Sequence, residues 1–178
     1  MTNDISKVLI SEQELDNLVT KLANQINLDY NGKELVLIGL LKGSVVFMTD
    51  LIRKINLPCT IDFISVSSYG DSTESTGRVK INFDVSQSVA GKHVVIVEDI
   101  IDSGNTISYM LKYFDGKGAE SVKICTLLDK PDRRVADIEV DYSGTIIPDE
   151  FVVGYGLDYA EKYRNLPYVG ILNPNVYS

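Results

Sequence analysis

One ten-residue stretch decides the fold of this chain: Val97-Glu98-Asp99-Ile100-Ile101-Asp102-Ser103-Gly104-Asn105-Thr106. It continues a short β-branched run, His93 to Val97, that is typical of a strand buried on both faces of a parallel sheet. Turn and cap residues follow, and apolar side chains then recur at helical spacing at Ile107, Met110, Leu111 and Phe114. The stretch therefore predicts a strand that ends at its carboxylates, a tight loop and a helix.

The end of this predicted strand is suited to an anionic ligand. Ligands of open α/β sheets bind at the carboxyl ends of strands. The N-terminus of the following helix offers unpaired backbone N–H groups and a partial positive charge, so the loop 102–106 can wrap a phosphate monoester. Glu98 and Asp99 repel phosphate, so we assign them to vicinal sugar hydroxyls or a hydrated Mg²⁺. Asp102 is left free to handle a proton.

The stretch reads as an acidic pair, two apolar residues, Asp, a small residue, Gly, any residue and Thr. This order resembles the phosphoribosyl-diphosphate signature of the type I phosphoribosyltransferases. The alternative is that Asp102 and Ser103 only cap the helix, while the acidic pair is a solvated strand end. Asn105 departs from relatives that carry Lys or Arg at this position. We therefore expect backbone amides to carry more of the 5′-phosphate binding.

Length and composition place the chain among ordinary globular proteins. Its 178 residues, 44% hydrophobic and 24% charged, fit one domain spanning 1–178. No apolar run approaches membrane-spanning length and the first residues lack a secretion-signal profile, so we expect a cytoplasmic protein without a membrane partner. The net charge of −8 disfavours an extended nucleic-acid surface. Helix N-termini and Mg²⁺ still supply positive potential locally.

The cysteines and the histidine exclude two kinds of site. Cys59 and Cys125 both lie beside apolar positions, so we expect buried reduced thiols and no disulfide framework. A single histidine cannot build a zinc site. We interpret His93, which opens the signature strand, as structural.

Strands alternate with helices along the chain, which predicts a parallel sheet covered on both faces. The first helix follows a capping box formed by Ser11 and Glu14, and its apolar face comprises Leu15, Leu18, Val19, Leu22 and Ile26. A second helix is predicted at Ser44–Ile55. Further strands are predicted at Leu35–Leu41, Thr60–Ser67, Val79–Val85, Val122–Leu128, Ile138–Tyr142, Phe151–Val153 and Tyr168–Leu172.

A long polar insert, Tyr69 to Gly77, has no apolar side chain apart from Tyr69 itself. Such a loop cannot belong to the core, and a linker inside a compact domain is implausible. We therefore expect a mobile active-site lid, with an exposed hairpin tip as the alternative.

Four further segments resemble the hypoxanthine-guanine branch of this family. Lys42 and Gly43, between a buried strand and a helix, match its pyrophosphate loop, where a non-proline cis peptide is expected before the Gly. Ser68 and Tyr69 match the base of its flexible loop. Lys130 follows an apolar strand and matches the Lys that donates a hydrogen bond to a purine 6-oxo group. The alternative for the Lys42 segment is a strand-to-helix turn with a solvated Lys, and Lys130 judged alone would more often be a solvated charge.

The fourth segment, residues 148–159 with Arg164 beyond it, resembles the family's contacts to the base and the leaving group. Phe151 offers a flat face for a purine and Val152 offers backbone groups to the base edge, the alternative being that both are core. Asp158 matches a carboxylate that contacts Mg²⁺, and Arg164 matches an Arg that contacts pyrophosphate.

The resemblance implies a type I phosphoribosyltransferase fold, in which a mostly parallel central sheet is flanked by helices, with a small base-binding hood and a flexible lid. It implies purine salvage: transfer of a 5-phosphoribosyl group from 5-phosphoribosyl 1-diphosphate to N9 of hypoxanthine or guanine, with release of diphosphate. Asp102 is then the catalytic acid or base at purine N7. The implied substrate contacts are Lys42, Gly43, Ser68, Tyr69, Glu98, Asp99, Asp102, Ser103, Gly104, Asn105, Thr106, Lys130, Phe151, Val152, Asp158 and Arg164.

The resemblance also implies Mg²⁺ as cofactor, held by Glu98, Asp99 and Asp158, and a homodimer or homotetramer.

Two rival functions stay open. One is a phosphoribosyltransferase for a different base, although the Lys130 and Phe151 segments favour a 6-oxopurine. The other is an RNA-binding regulator on the same fold, which needs a basic face. A net charge of −8 does not obviously supply one, so we expect no nucleic-acid partner.

Overall fold

The computed structural model describes residues 2–68 and 79–177, so the predicted lid, Tyr69 to Gly77, lies outside the described residues. The helices are α1 (Glu12–Asp29), α2 (Val45–Ile52) and α3 (Asn105–Gly116). The strands are β1 (Ile5–Ile10), β2 (Leu35–Leu41), β3 (Cys59–Ser68), β4 (Val79–Phe83), β5 (His93–Ile101), β6 (Ser121–Asp129), β7 (Tyr142–Ile146), β8 (Val152–Val153) and β9 (Val169–Leu172). Short 3-10 turns lie at Thr2–Asp4, Pro131–Arg133 and Pro174–Val176.

The larger sheet has the strand order β4-β3-β2-β5-β6-β7. Within this order, the adjacent strands among β3, β2, β5, β6 and β7 are parallel. The edge strand β4 runs antiparallel to β3. The chain moves outward from β2 to β3 on one side and from β5 to β6 on the other. The strand order therefore reverses between β2 and β5, and such a switch point opens a crevice at the carboxyl ends of the two strands.

Helices cover both faces of this sheet. α1 and α2 pack on one face around Leu22, Phe47 and Leu37, and α3 packs on the other around Ile96 and Met110. Strands buried on both faces consist of continuous apolar runs, as β2 does. The α/β architecture with a mostly parallel sheet is the one that the sequence predicts.

The first helix begins where the capping box predicts. Ser11 Oγ accepts a hydrogen bond from the Glu14 N–H at 3.4 Å, and the Glu14 carboxylate accepts one from the Ser11 N–H at 2.8 Å. Hydrogen bonds with Ser11 also lower the pKa of Glu14. The predicted apolar face is buried at Leu15, Val19, Leu22 and Ile26, while Leu18 is partly buried. Local signals alone therefore place α1 correctly.

The signature strand is longer than predicted. β5 does not end at the carboxylates, because its parallel pairing with β6 continues as far as Ile101, opposite Asp129. Glu98 and Asp99 consequently lie inside the strand, where the ladder holds their backbone.

The second helix is shorter than predicted, ending at Ile52 rather than Ile55. Asn27 on α1 binds the chain just beyond this end. Its side chain donates to the Lys54 carbonyl at 3.2 Å and accepts from the Asn56 N–H at 2.9 Å. A contact from another helix thus supports the non-helical backbone that leads into β3.

A second, antiparallel sheet with the order β1-β9-β8 forms the hood. The sequence analysis misses β1, whose residues pair with a strand more than 150 positions away, as Ile5 does with Leu172. The predicted strand Ile138–Tyr142 is wrong. The ladder with β6 begins only at Tyr142, while Ile138 and Val140 pack beside the α3 core without pairing.

The cysteines and the histidine behave largely as expected. Cys125 is buried and Cys59 is half-buried, both are free thiols, and burial raises the pKa of Cys59. His93 Nδ1 lies 2.7 Å from Ser121 Oγ, and its ring packs against Tyr30, which fits a structural role. Within residues 2–68 and 79–177, no helix combines the length and apolarity needed to cross a bilayer.

Candidate active site

The crevice between the carboxyl ends of β2 and β5 forms a cleft of about 370 Å³. It gathers predicted site residues from four separate segments: Lys42, Gly43, Glu98, Asp99, Thr106, Asp158 and Arg164. A larger groove of about 1000 Å³ lies between α1, α2 and the segment 155–167, but among the described residues Arg164 is the only predicted site residue that lines it. The chemistry expected from the sequence therefore concentrates in the smaller cleft.

Gly43 lies directly against a buried carboxylate. A Cβ at this position would be 1.9 Å from Asp99 Oδ2, so a side chain cannot fit without moving Asp99. On the other side, a Cβ at Gly156, whose φ is +102°, would be 2.1 Å from the Gly43 carbonyl oxygen. The peptide between Leu41 and Lys42 is cis, as the resemblance implies. The loop after β2 is thus packed between the acidic strand and the turn that contains Gly156.

Glu98 and Asp99 form an acidic pair in which Glu98 is half-buried and Asp99 is buried. Asp99 is 8% exposed, and its Oδ1 accepts a hydrogen bond from the Ile100 N–H at 3.0 Å. Despite that bond, burial raises the pKa of Asp99 to about 6. Burial and the neighbouring Asp99 hold the pKa of Glu98 well above its usual range. Buried acids in this state are stabilised by a cation or by hydroxyl donors, so the pair fits a hydrated Mg²⁺ or a sugar diol.

The third predicted metal ligand is not clustered with this pair. Asp158 Oδ1 lies 2.8 Å from Arg164 Nη2, and nowhere in the described part of the chain do three His, Cys, Asp or Glu side chains meet as a metal cluster. Mg²⁺ usually keeps several waters and combines one or two protein carboxylates with substrate phosphates. The donors therefore fit a metal that binds together with a phosphorylated ligand.

The entrance to α3 matches an anion-binding loop more closely than a capped helix. Gly104 is the N-cap residue, with φ of +81°, and makes no side-chain cap bond. Asp102 does not cap the helix, and Ser103 Oγ makes only a long 3.4 Å contact with the Asn105 N–H. The backbone N–H groups of 135 and 136 donate to the Ser103 carbonyl at 2.9 and 3.0 Å. The backbone of residues 135 and 136 thus anchors the loop, while the N-terminus of α3 remains available to a ligand.

Lys130 is buried rather than solvated. It is 7% exposed, and its Nζ donates to the Glu150 carbonyl at 2.7 Å. Phe151 is 40% exposed, so the alternative that it is a core residue is wrong, whereas Val152 is buried. The exposed Phe151 ring therefore follows directly after Glu150, whose carbonyl accepts a hydrogen bond from the buried Lys130.

Arg133 connects Asp102 and Lys130, the two side chains that we assign to the purine base. Its Nε lies 2.8 Å from Asp102 Oδ1 and its Nη1 lies 3.1 Å from Asp149 Oδ1, which is itself 3.7 Å from Lys130 Nζ. The hydrogen bond from Arg133 lowers the pKa of Asp149. The neighbouring Arg134 donates to the Asp102 carbonyl at 3.2 Å. The sequence analysis misses both arginines, although a basic pair so close to Lys130 was a usable signal.

Glu161 lies between the two cations assigned to diphosphate. Its Oε1 is 3.1 Å from Lys42 Nζ and its Oε2 is 3.3 Å from Arg164 Nη2. Hydrogen bonds from Lys42 and Arg164 lower the pKa of Glu161. Ala160, Glu161 and Tyr163 all have positive φ, of 49°, 64° and 76°, an uncommon conformation for residues with side chains. No motif in the sequence points to Glu161, which the strained turn places between Lys42 and Arg164.

Two predicted contacts, Ser68 and Tyr69, lie at the edge of the described residues. Ser68 is the last residue of β3, and Tyr69 lies outside the described residues. Their assignment to the lid base remains a prediction.

Comparison with known proteins identifies the family of the chain. A family model described as the phosphoribosyl transferase domain matches residues 10–160. The chain belongs to the phosphoribosyl transferase family. Membership confirms the resemblance drawn from the signature stretch.

Individual relatives cover the whole chain. It is 52% identical over 178 residues to a hypoxanthine-guanine phosphoribosyltransferase of Staphylococcus aureus (strain COL), and covers 99% of that protein. It is also 52% identical to the bifunctional protein TilS/HprT of Listeria monocytogenes (serotype 4b, strain F2365), of whose length it spans only 28%.

Solved structures agree with the fold. A hypoxanthine phosphoribosyltransferase from Staphylococcus aureus has a TM-score of 0.97 at 52% identity, with 100% of this chain and 97% of that chain covered. A hypoxanthine-guanine phosphoribosyltransferase from Bacillus anthracis, with HEPES in its active site, has a TM-score of 0.92 at 52% identity, with 95% and 99% covered.

Proposed function

We propose that the chain is a hypoxanthine (guanine) phosphoribosyltransferase of purine salvage. It transfers the 5-phosphoribosyl group of 5-phosphoribosyl 1-diphosphate to N9 of hypoxanthine or guanine, giving IMP or GMP and diphosphate. The observation that carries the proposal is the cleft at the switch point, where an uncapped helix entrance, an acidic pair and two cations converge. The names of the relatives support the choice of base.

The sugar phosphate occupies the cleft in this proposal. The 5′-phosphate binds the loop 102–106 at the N-terminus of α3, chiefly through backbone N–H groups, because Asn105 brings no charge. Glu98 and Asp99 bind the ribose hydroxyls or their hydrated metal. Lys42 and Arg164 bind the diphosphate, where opposite charges favour a polyanion.

The cofactor is Mg²⁺, with Glu98, Asp99 and Asp158 as the carboxylates that would hold it. When bound, it neutralises charge on the diphosphate leaving group. Burial raises the pKa of both carboxyl groups, and a bound cation would counteract this shift by favouring their ionised forms.

The purine binds beside the cleft, between the loop 102–106 and the hood. Phe151 stacks on the ring, Val152 presents backbone groups to its edge, and Lys130 donates a hydrogen bond to the 6-oxo group. Asp102 manages the N7 proton as general acid or base, with Arg133 holding Oδ1 and leaving Oδ2 for the base.

The reaction is a direct displacement with inversion at C1′. The bond from C1′ to the diphosphate oxygen breaks, the electron pair leaves with diphosphate, and N9 forms the new bond. Positive charge develops on the ribose ring and negative charge on the leaving group, so the acidic pair and the cations stabilise opposite ends of one transition state. Water must be excluded, because the oxocarbenium-like ring would otherwise be hydrolysed, and Ser68 with the segment Tyr69 to Gly77 is proposed as the lid.

Three broader properties belong to the same proposal: residues 1–178 act as one phosphoribosyltransferase domain, the protein is cytoplasmic, and it forms a homodimer or homotetramer. Gel filtration with light scattering tests the last of these.

The deciding experiment is an initial-rate assay with phosphoribosyl diphosphate, Mg²⁺ and each of five bases: hypoxanthine, guanine, xanthine, adenine and uracil. We expect nucleotide and diphosphate with hypoxanthine and guanine, and no turnover in excess EDTA. Asp102→Asn is the matched control, since it removes the proton-handling group alone. Turnover only with adenine or uracil would favour the rival phosphoribosyltransferases. Salt-dependent RNA binding without turnover would favour the regulator.

A further inference from the structure

Three aromatic rings, two from the segment 151–159 and one from Tyr177, meet at the proposed base site. Tyr177 stacks on Phe151, with ring centroids 5.0 Å apart and planes 26° from parallel. Tyr159 meets Phe151 edge-on, at 5.7 Å and 87°, and contacts Tyr177 at 6.3 Å. Such offset-stacked and edge-to-face contacts stabilise aromatic pairs beyond their buried area.

Tyr177 is held in place by a defined path of the chain. The Leu172 N–H at the end of β9 donates to the Phe151 carbonyl at 2.9 Å, which ties the two backbones together. The next residue, Asn173, caps the turn Pro174–Val176 by accepting the Asn175 N–H at 3.1 Å, and its own N–H donates to the Asp4 carbonyl at 2.7 Å. This short capped turn returns the chain to Phe151, so the stacking is not a contact of a loose segment.

The stacking divides the surface of Phe151. A nearly parallel ring covers one face, and a nearly perpendicular ring meets its edge. Phe151 nevertheless remains 40% exposed, and we assign the face opposite Tyr177 to a planar ligand. A base on that face and Tyr177 on the other would sandwich the Phe151 ring.

We propose that Tyr177 is a positioning residue for purine binding, which acts by fixing the Phe151 ring from behind. This inference rests on the proposed function, because it assigns Phe151 to the base. Tyr177 itself does not touch the base or the reacting atoms. Losing it frees Phe151 to change rotamer, so base binding weakens while the sugar-phosphate contacts and the proton transfer are unaffected.

The test is a double-mutant cycle on Tyr177 and Phe151. For the wild type and for Tyr177→Ala, Tyr177→Phe, Phe151→Ala and the double alanine variant, kcat and KM are measured for hypoxanthine and for phosphoribosyl diphosphate. Tyr109→Ala is the matched control, because Tyr109 also stacks on a tyrosine, Tyr113, but on the helix α3 outside the base site. Thermal unfolding of every variant checks that it is folded.

We expect Tyr177→Ala to raise KM for hypoxanthine by about three- to tenfold, the range that aromatic pair energies predict, with kcat and KM for phosphoribosyl diphosphate unchanged. Tyr177→Phe, which keeps the stacking ring, should match the wild type, as should Tyr109→Ala. In the Phe151→Ala background, removing Tyr177 should add nothing further, because its effect passes through Phe151.

Three results would overturn the inference while the wild type remains active. A lower KM for hypoxanthine in Tyr177→Ala would mean that Tyr177 occupies the face that the base needs. An unchanged KM would mean that the stacking is irrelevant to binding, and an additive effect in the double variant would mean that Tyr177 acts independently of Phe151. Inactivity of the wild type with all bases would instead refute the proposed function.

Discussion

Gly43→Ala is the most informative substitution, because Gly43 packs directly against the Asp99 carboxylate in the cleft. The added Cβ would lie 1.9 Å from Asp99 Oδ2 and 2.7 Å from its Cγ, so the carboxylate must move by roughly 1.5 Å to reach ordinary contact. Asp99 has little freedom to do so. It is buried inside β5, and its Oδ1 holds the Ile100 N–H.

The expected cost has two parts. Overpacking of this kind typically lowers the free energy of unfolding by about 1–3 kcal/mol. A misplacement of about 1 Å in a positioned group costs up to about 100-fold in activity, so we expect the Kd for phosphoribosyl diphosphate with Mg²⁺ to rise by about 10- to 100-fold. The base contacts lie elsewhere and should be retained.

The assays are chemical denaturation, calorimetric titration with phosphoribosyl diphosphate and Mg²⁺, and kcat/KM for hypoxanthine. Gly116→Ala is the matched control. Gly116 is the last residue of α3, and a Cβ there would meet nothing within 4 Å. It should leave binding unchanged. If Gly43→Ala bound phosphoribosyl diphosphate as tightly as Gly116→Ala, then Asp99 would not be part of the binding site.

Three further substitutions test the remaining parts of the site. Asp102→Asn should lower kcat by about 10²- to 10⁴-fold while the Kd for phosphoribosyl diphosphate stays near the wild-type value, since the carboxylate is assigned to the N7 proton; a normal kcat would remove it from that role. Lys130→Ala should weaken 6-oxopurine use by about 1–3 kcal/mol, because the oxygen loses its buried donor. The readout is kcat/KM for hypoxanthine against adenine, and an unchanged ratio would contradict the assignment. Glu161→Gln should lower the Kd for diphosphate by about two- to fivefold at low salt, because Lys42 and Arg164 no longer face a competing carboxylate. The expected change is small because exposed ion pairs contribute little to binding free energy. Titration at two salt concentrations checks it, and weaker diphosphate binding in the variant would mean that Glu161 orients the cations instead.

Some features of the fold could be predicted from local sequence because they depend on local physics. β2 spans the predicted Leu35–Leu41, and α1 starts at its predicted capping box. The loop and the helix that follow Asp102 are also where turn residues and periodicity place them, although β5 extends beyond the acidic pair to Ile101. Each of these signals is generated by residues a few positions apart, through side-chain periodicity or a cap.

Much of the site chemistry was equally visible in the sequence. A signature of ten residues predicts an acidic pair, an Asp assigned to a proton and a helix entrance suited to an anion. The lysines were less clear, since Lys130 alone suggested a solvated charge. Its burial depends on the Glu150 carbonyl, which reaches it from another segment.

Tertiary structure alone decided the features that depend on distant partners. β1 exists because β9 pairs with it, α2 ends where Asn27 binds the chain, and β7 begins at Tyr142 because β6 is its neighbour. In the site, the approach of Gly43 to Asp99, and the position of Glu161 between two cations, join residues that are distant in sequence or lie in a strained turn. The physical reason is the same throughout. Periodicity and capping act within a few residues, whereas pairing, burial and charge neutralisation depend on which segments the completed fold brings into contact.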